Sequence, residues 1–183
     1  EPATHRVRND SGIDVYLPAE CDSPSWGLER VGGDGDVTYS YSLACSQTCE
    51  ELQTEGQIAC DLGACAPSSI LVPAGATVDL VWDGTGLERD VAMPAACYLD
   101  GGAQDTCNRV VLASGGDYRR LVRGFGSCET YPDGPSCSCT AEGRCDGEAV
   151  GLEASPDLVT FTHPGTSVVE VVFGVCAFGC AGG

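Results

Sequence analysis

The residues of this chain that could do chemistry are thirteen cysteines, two histidines (His5 and His163) and 27 carboxylates. Cysteine at this density points to disulfides or to metal. The closest spacings are C-x3-C at Cys45 and Cys49, C-x4-C at Cys60 and Cys65, C-x-C at Cys137 and Cys139, and C-x3-C at Cys176 and Cys180. Zinc sites are usually assembled from C-x2-C pairs. None occurs here, and neither histidine stands within a few residues of a cysteine pair. Disulfides are therefore the expected chemistry, at least five of them, with one cysteine left over after six pairs. That density in turn implies an oxidising compartment: secreted, periplasmic or cell-surface.

The remaining inventory supports catalysis poorly. A nucleophilic hydrolase needs a nucleophile, a base and an orienting acid. His163 is the available base, but no serine sits in a G-x-S-x-G frame, Ser114 included, and a histidine before Pro164 in a turn is expected to be exposed. Paired carboxylates of the glycosidase type can be drawn from 27 acids in many ways, so they discriminate nothing. A cupredoxin-like copper site would need His5, His163, Met93 and a cysteine together, yet Cys176-Ala-Phe-Gly-Cys180 carries neither histidine nor methionine. Calcium is the one metal the loops suit: Asp34, Asp36, Asp83, Asp100 and Asp105 lie in Asp- and Gly-rich segments offering hard oxygen ligands. No spaced D-x-D-x-D-G loop is present, and Asp-Gly is equally a turn signal. No other cofactor is expected.

Charge narrows the partners. All nine basic residues are arginine, and against 27 acids they leave a net charge of −18. Such a field repels phosphate backbones and anionic membranes, which disfavours nucleic acid, and it attracts cations or basic surfaces. Solubility alone is the competing account. No apolar run reaches the roughly 18 residues of a membrane span.

The elements that must position these residues read as strands. Asn9-Asp10-Ser11-Gly12 separates two short alternating runs and predicts a hairpin; Asn9 also matches a glycosylation sequon, but turn chemistry explains the residues without it and is the preferred reading. Residues 18–36 read as loop with one short strand over Leu28–Val31, and Val37–Leu43 alternates again. A helix is predicted within Cys45–Gly56, capped by Ser46 or Thr48, with Glu50 and Glu51 in its first turns. Its four-residue spacing puts Cys45 and Cys49 on one face, allowing a nested pairing of Cys45 with Cys65 and Cys49 with Cys60. Over about twenty residues this pattern resembles helical-hairpin peptides.

A Pro-Gly turn twice feeds a Thr/Ser-Val-x-x-Val strand closing on an aromatic residue, at Thr77–Trp82 and Thr166–Phe173, and a looser version spans Leu112–Val122. Cys97 and Cys107 flank a turn-rich link and are expected to pair across a hairpin. Strands recurring between Gly/Pro turns without crossover helices imply one mainly β domain over 1–183. It is expected to be an antiparallel two-sheet β-sandwich of the Ig-like class with disulfide-stapled loops. A cysteine-rich helical insertion falls at about 45–66, and an irregular cysteine-rich loop at about 126–148.

The turn-then-strand phrase ending in Trp82, the cysteine-rich insertions and the Asn-Asp-Ser-Gly opening resemble cysteine-rich exported or envelope lipoprotein-like β-sandwich proteins of bacteria. That resemblance implies an envelope location and supplies no activity. Thaumatin-like proteins share the acidity and cysteine density, but their cysteine order differs. The expected function is a non-catalytic extracellular or cell-envelope binding or structural module, with a protein partner or self-assembly favoured over a small molecule. The alternative is an exported hydrolase using paired carboxylates or His163. Cys180, three residues from the end among small residues, is the expected inter-chain cysteine of a surface assembly.

Overall fold

Runs with a two-residue period, cut by Gly, Pro and Asp, leave most of this chain little alternative to strands. The computed structural model describes residues 2–20, 23–24, 27–32, 38–40, 48–54, 67–92, 106–130, 134, 136–156 and 159–179. In chain order these form β1 (Ala3–Asn9), β2 (Val15–Glu20), β3 (Ser23–Pro24), β4 (Gly27–Arg30), β5 (Thr38–Ser40), α1 (Cys49–Thr54), β6 (Pro67–Val72), β7 (Thr77–Trp82) and β8 (Thr85–Ala92). There follow β9 (Thr106–Leu112), β10 (Gly116–Leu121), β11 (Gly124–Glu129), β12 (Arg144–Cys145), β13 (Glu148–Ala154), β14 (Val159–His163) and β15 (Val168–Phe173). The protein is mainly β. Hydrogen bonding divides the strands into a three-stranded sheet β15-β1-β7, a four-stranded sheet β14-β10-β4-β5, a sheet β12-β6-β2-β11-β13 with β3 against β2, and the pair β8-β9.

The three-stranded sheet is the lid of the core. Along β1, Ala3, His5, Val7 and Asn9 are buried while the residues between them reach solvent. Toward the Asn9 end, Val7, Leu80, Val171 and Phe173 pack on Val15, Leu17, Ala19, Ile70, Val72 and Ala154. Toward the Ala3 end, Ala3, Trp82 and Val169 pack on Leu28, Tyr118 and Phe161. One sheet therefore covers both of the larger ones.

Those larger sheets continue one another. β10 and β14 pair Gly116 with His163 and Arg120 with Val159, and β11 and β13 then pair Gly124 with Ala154 and Glu129 with Glu148. The chain thus runs one long antiparallel ladder interrupted at Val122–Arg123. Gly124 restarts it where the core leaves no room for a side chain: a Cβ there would stand 2.6 Å from Val15 Cγ1 and 2.8 Å from Phe173 Cε1. Gly124→Ala is expected to cost about 1–3 kcal/mol by overpacking, read as a lower denaturant midpoint at unchanged slope. A change under about 0.5 kcal/mol, the range of an ordinary surface substitution, would show that the lid sheet shifts freely over this point.

Four expectations change. First, β1 pairs with β15 in parallel, so the strands are not all antiparallel. Second, β1 and β2 form no hairpin, because β1 is held by β7 and β15 and β2 by β6 and β11. Asn9 makes the corner between them: its Nδ2 donates to the carbonyls of Ile13 (2.7 Å) and Val72 (2.8 Å), and its Oδ1 accepts from the Ser11 backbone and hydroxyl. A buried side chain so engaged is a structural pin, in keeping with the turn chemistry preferred over the sequon.

Third, the span expected to be irregular at 126–148 contains most of β11 together with β12, and the ladder to β13 begins at its end. Fourth, Cys107 bonds to Cys49, replacing both the expected Cys97–Cys107 staple and the Cys49–Cys60 rung. Residues 28–30 do form the short strand expected there, and β5 falls inside the predicted 37–43 run. α1 is the predicted helix, shortened; Thr48 caps it, its Oγ1 accepting from Glu51 N (3.2 Å) while Glu51 Oε2 accepts from Thr48 N (2.8 Å). No helix among the described residues is long and apolar enough to cross a membrane.

Candidate functional site

Two clusters gather the chemically capable side chains. The first lies under the lid sheet. Alternation along β1 turns His5 inward with Val7, β10 turns Tyr118 and Arg120 inward, β14 does the same for Phe161 and His163, and β7 contributes Trp82. Tyr118 and Phe161 stand directly opposite across β10–β14 and stack with centroids 5.9 Å apart. His5 meets Phe161 edge-on at 5.3 Å, His163 lies 4.8 Å from Trp82, and Trp82 is 6.3 Å from His5. Trp82 Nε1 donates to the Thr85 carbonyl (2.6 Å), and Tyr118 Oη to the Ser114 carbonyl (2.7 Å).

Burial decides what this cluster can do. His5, 0% exposed, is pushed down to about pKa 2, first by loss of solvation and second by the positive charge of Arg120. The same loss of solvation pulls Arg120 well below its ordinary value. His5 is thus neutral at any physiological pH. His163 is buried at 4% exposure, where an exposed turn residue was expected, because it is the last inward position of β14 rather than part of the turn that follows. The arrangement is a water-excluded aromatic wall containing both imidazoles, and Ser114 engages it through its carbonyl.

The second cluster is sulfur. Cys128 on β11 and Cys145 on β12 are buried, Cys137 is half-buried and Cys139 exposed. Disulfides join Cys128 to Cys137 and Cys139 to Cys145, and the Sγ atoms of Cys128, Cys137 and Cys145 all lie within 4.8 Å of one another. Three thiolates at that spacing would suit zinc, but sulfurs bonded to each other are not thiolate ligands. Ser69, paired with Cys145 across β6–β12, sets its Oγ 2.9 Å from Cys128 Sγ and 2.9 Å from the Gly147 carbonyl. Cys176 is disulfide-bonded as well.

Of the calcium candidates, Asp83 is described: its Oδ1 accepts from Thr85 N (2.8 Å) and Thr85 Oγ1 (2.7 Å), which is turn geometry. Asp34, Asp36, Asp100 and Asp105 lie outside the described residues, as do Met93, Cys45, Cys60, Cys65, Cys97 and the inter-chain candidate Cys180. Sequence reasoning weighed His5 only as a metal ligand and passed over Arg120 and Ser69. The first two had a usable signal for burial, since His5 shares the two-residue period of Val7 and Arg120 that of Tyr118. Ser69 had none.

Five of the nine arginines form ion pairs near solvent: Arg6–Asp79 at 2.8 Å, Arg8–Asp10 at 2.9 Å, Arg109–Glu88 at 2.6 Å, Arg119–Glu29 at 2.9 Å and Arg123–Glu153 at 3.6 Å. Among the described residues much of the scarce positive charge is thus paired within the fold, and most of the carboxylates are exposed. The chain matches no protein-family model, no curated protein and no solved structure.

Proposed function

We propose that this protein is a non-catalytic extracellular or cell-envelope module, an Ig-like sandwich that binds a partner presenting a basic surface. The observation that carries the reading is a pair of like charges. Glu129 and Glu148 stand directly opposite across β11–β13, both exposed, and neither forms an ion pair among the described residues. Opposed like charges destabilise a sheet, and a cation or basic partner at that edge offsets the cost. Acids along β13 alone would be explained as protection of an edge strand; acids facing each other on two strands are not.

Two further observations support the fold and the class. The Tyr118 hydroxyl bond to a carbonyl four residues upstream resembles the tyrosine corner of Greek-key sandwiches, and Trp82 packs beside it. The hydrolase alternative loses support because His163 is enclosed by aromatic rings. The disulfides favour an oxidising compartment.

The test uses an arginine-rich peptide as probe and an acidic peptide of equal length as control. Binding to the basic probe alone is expected, falling steeply with added salt. The double variant E129Q/E148Q should weaken it several-fold while raising stability by about 0.2–1 kcal/mol at low salt. Unchanged binding in that variant, or turnover of chromogenic ester or glycoside substrates that disappears in His163→Gln, would defeat the reading.

A further inference from the structure

The two disulfides of the sulfur cluster differ in access but share a contact. Cys139 is exposed, its partner Cys145 is buried, and Cys145 Sγ lies within 4.8 Å of both sulfurs of the Cys128–Cys137 bond. We propose that they form a thiol–disulfide relay, in which reducing equivalents delivered at Cys139 by a dithiol end on buried Cys128.

The steps balance. A thiolate of the dithiol bonds to Cys139 Sγ, the Cys139–Cys145 bond breaks, and Cys145 leaves as a thiolate. The reagent's second thiol then closes its own disulfide and releases Cys139. Cys145 attacks the half-buried Cys137 Sγ, so that a Cys137–Cys145 bond forms, the Cys128–Cys137 bond breaks, and the electron pair departs on Cys128, which takes up a proton. In sum, one dithiol is oxidised, one protein disulfide is reduced, and the two new thiols are Cys139 and Cys128.

Ser69 sets the direction. Its single hydroxyl hydrogen, shared between the Gly147 carbonyl and Cys128 Sγ, turns to whichever is the stronger acceptor. A hydrogen bond to the departing thiolate lowers its pKa, and a thiol of lower pKa leaves faster. Because β12 pairs Cys145 with Ser69 itself, attacking and departing sulfurs are held by one short ladder.

The relay is tested on the intact protein with limiting phosphine, which opens a disulfide to two thiols, followed by acid quench, alkylation and peptide mapping. In molecules whose Cys139–Cys145 bond has opened, the expected products are a Cys137–Cys145 bridge and alkylated Cys128 and Cys139. Alkylation confined to Cys139 and Cys145 would overturn the proposal. Cys139→Ser gives an independent result: Cys145 should be found bonded to Cys137 with Cys128 alkylatable, whereas a free Cys145 beside an intact Cys128–Cys137 bond would also overturn it. Ser69→Ala should slow appearance of the Cys128 thiol about tenfold without slowing the opening of Cys139–Cys145; equal slowing of both would remove Ser69 from the relay.

Discussion

Lowering the pH from 7 to 4 is expected to remove about 3 kcal/mol of unfolding free energy through His5 alone. Burial, and after it the charge of Arg120, holds His5 at about pKa 2 in the folded protein, against 6.5 for the free side chain. Between those values the unfolded chain carries a proton that the folded chain refuses. His5 therefore costs nothing above pH 6.5, and stability falls as pH drops through the window at about 1.4 kcal/mol per unit. Arg120 adds repulsion to any charge on His5, Trp82 and Phe161 pack edge-on against its ring, and His163 is the second imidazole of the same wall.

Other groups titrate in the same range with opposing signs. Asp79, kept below the usual carboxylate range by its hydrogen bond from Arg6, adds a loss on acidification, while relief of a net charge of −18 adds a gain. A variant difference isolates His5. His5→Phe keeps a ring against Phe161 and Trp82, so wild type minus variant, from denaturant midpoints at fixed ionic strength, should slope by about 1.4 kcal/mol per unit between pH 6 and pH 4. Parallel curves would mean that His5 reaches water and that the wall is not closed.

Legibility in the sequence followed the range of the interaction. β7 is legible end to end in Thr77-Val-Asp-Leu-Val-Trp82, because alternation and a Pro-Gly turn are local signals. Thr48 could be named as a cap for the same reason. What failed was pairing. Asn9-Asp10-Ser11-Gly12 has hairpin chemistry, yet Asn9 spends it on Val72, a carbonyl 63 residues away, and nothing near Asn9 announces that partner. The parallel contact between the first and last strands and the Cys49–Cys107 bond are equally non-local. His163 was read from Pro164, its neighbour, when its inward register with Phe161 carried the better information. The sulfur cluster was half visible: four close cysteines were seen, but the proximity of one disulfide to the other depends on β12 lying against β6.

Among the three bridges whose cysteines are both described, the one that sequence spacing misassigned is also the one whose loss is expected to cost most. Cys49–Cys107 spans 58 residues, and the chain-entropy model gives such a loop about 4 kcal/mol. The separations of 9 and 6 at Cys128–Cys137 and Cys139–Cys145 give only about 2–3 kcal/mol each. Against a total of roughly 5–15 kcal/mol for a domain, the long bridge is a large share.

Local structure offers no substitute. α1 has six residues, where an isolated helix needs about 12–15 to persist in water. Its attachment to β8 and β9 includes the disulfide, the Thr48–Asn108 bridge, and Leu52 packed with Cys107 and against Val91. In the double variant C49A/C107A, which leaves no new thiol to scramble other pairs, the denaturant midpoint should fall by the equivalent of about 4 kcal/mol. Amides of Leu52 and Gln53 should lose exchange protection before those of β1 and β15, because the lid sheet shares none of these contacts. A drop no larger than that of C139A/C145A, or α1 amides that stay protected together with β1, would mean that α1 is held by the sheet rather than by its sulfur.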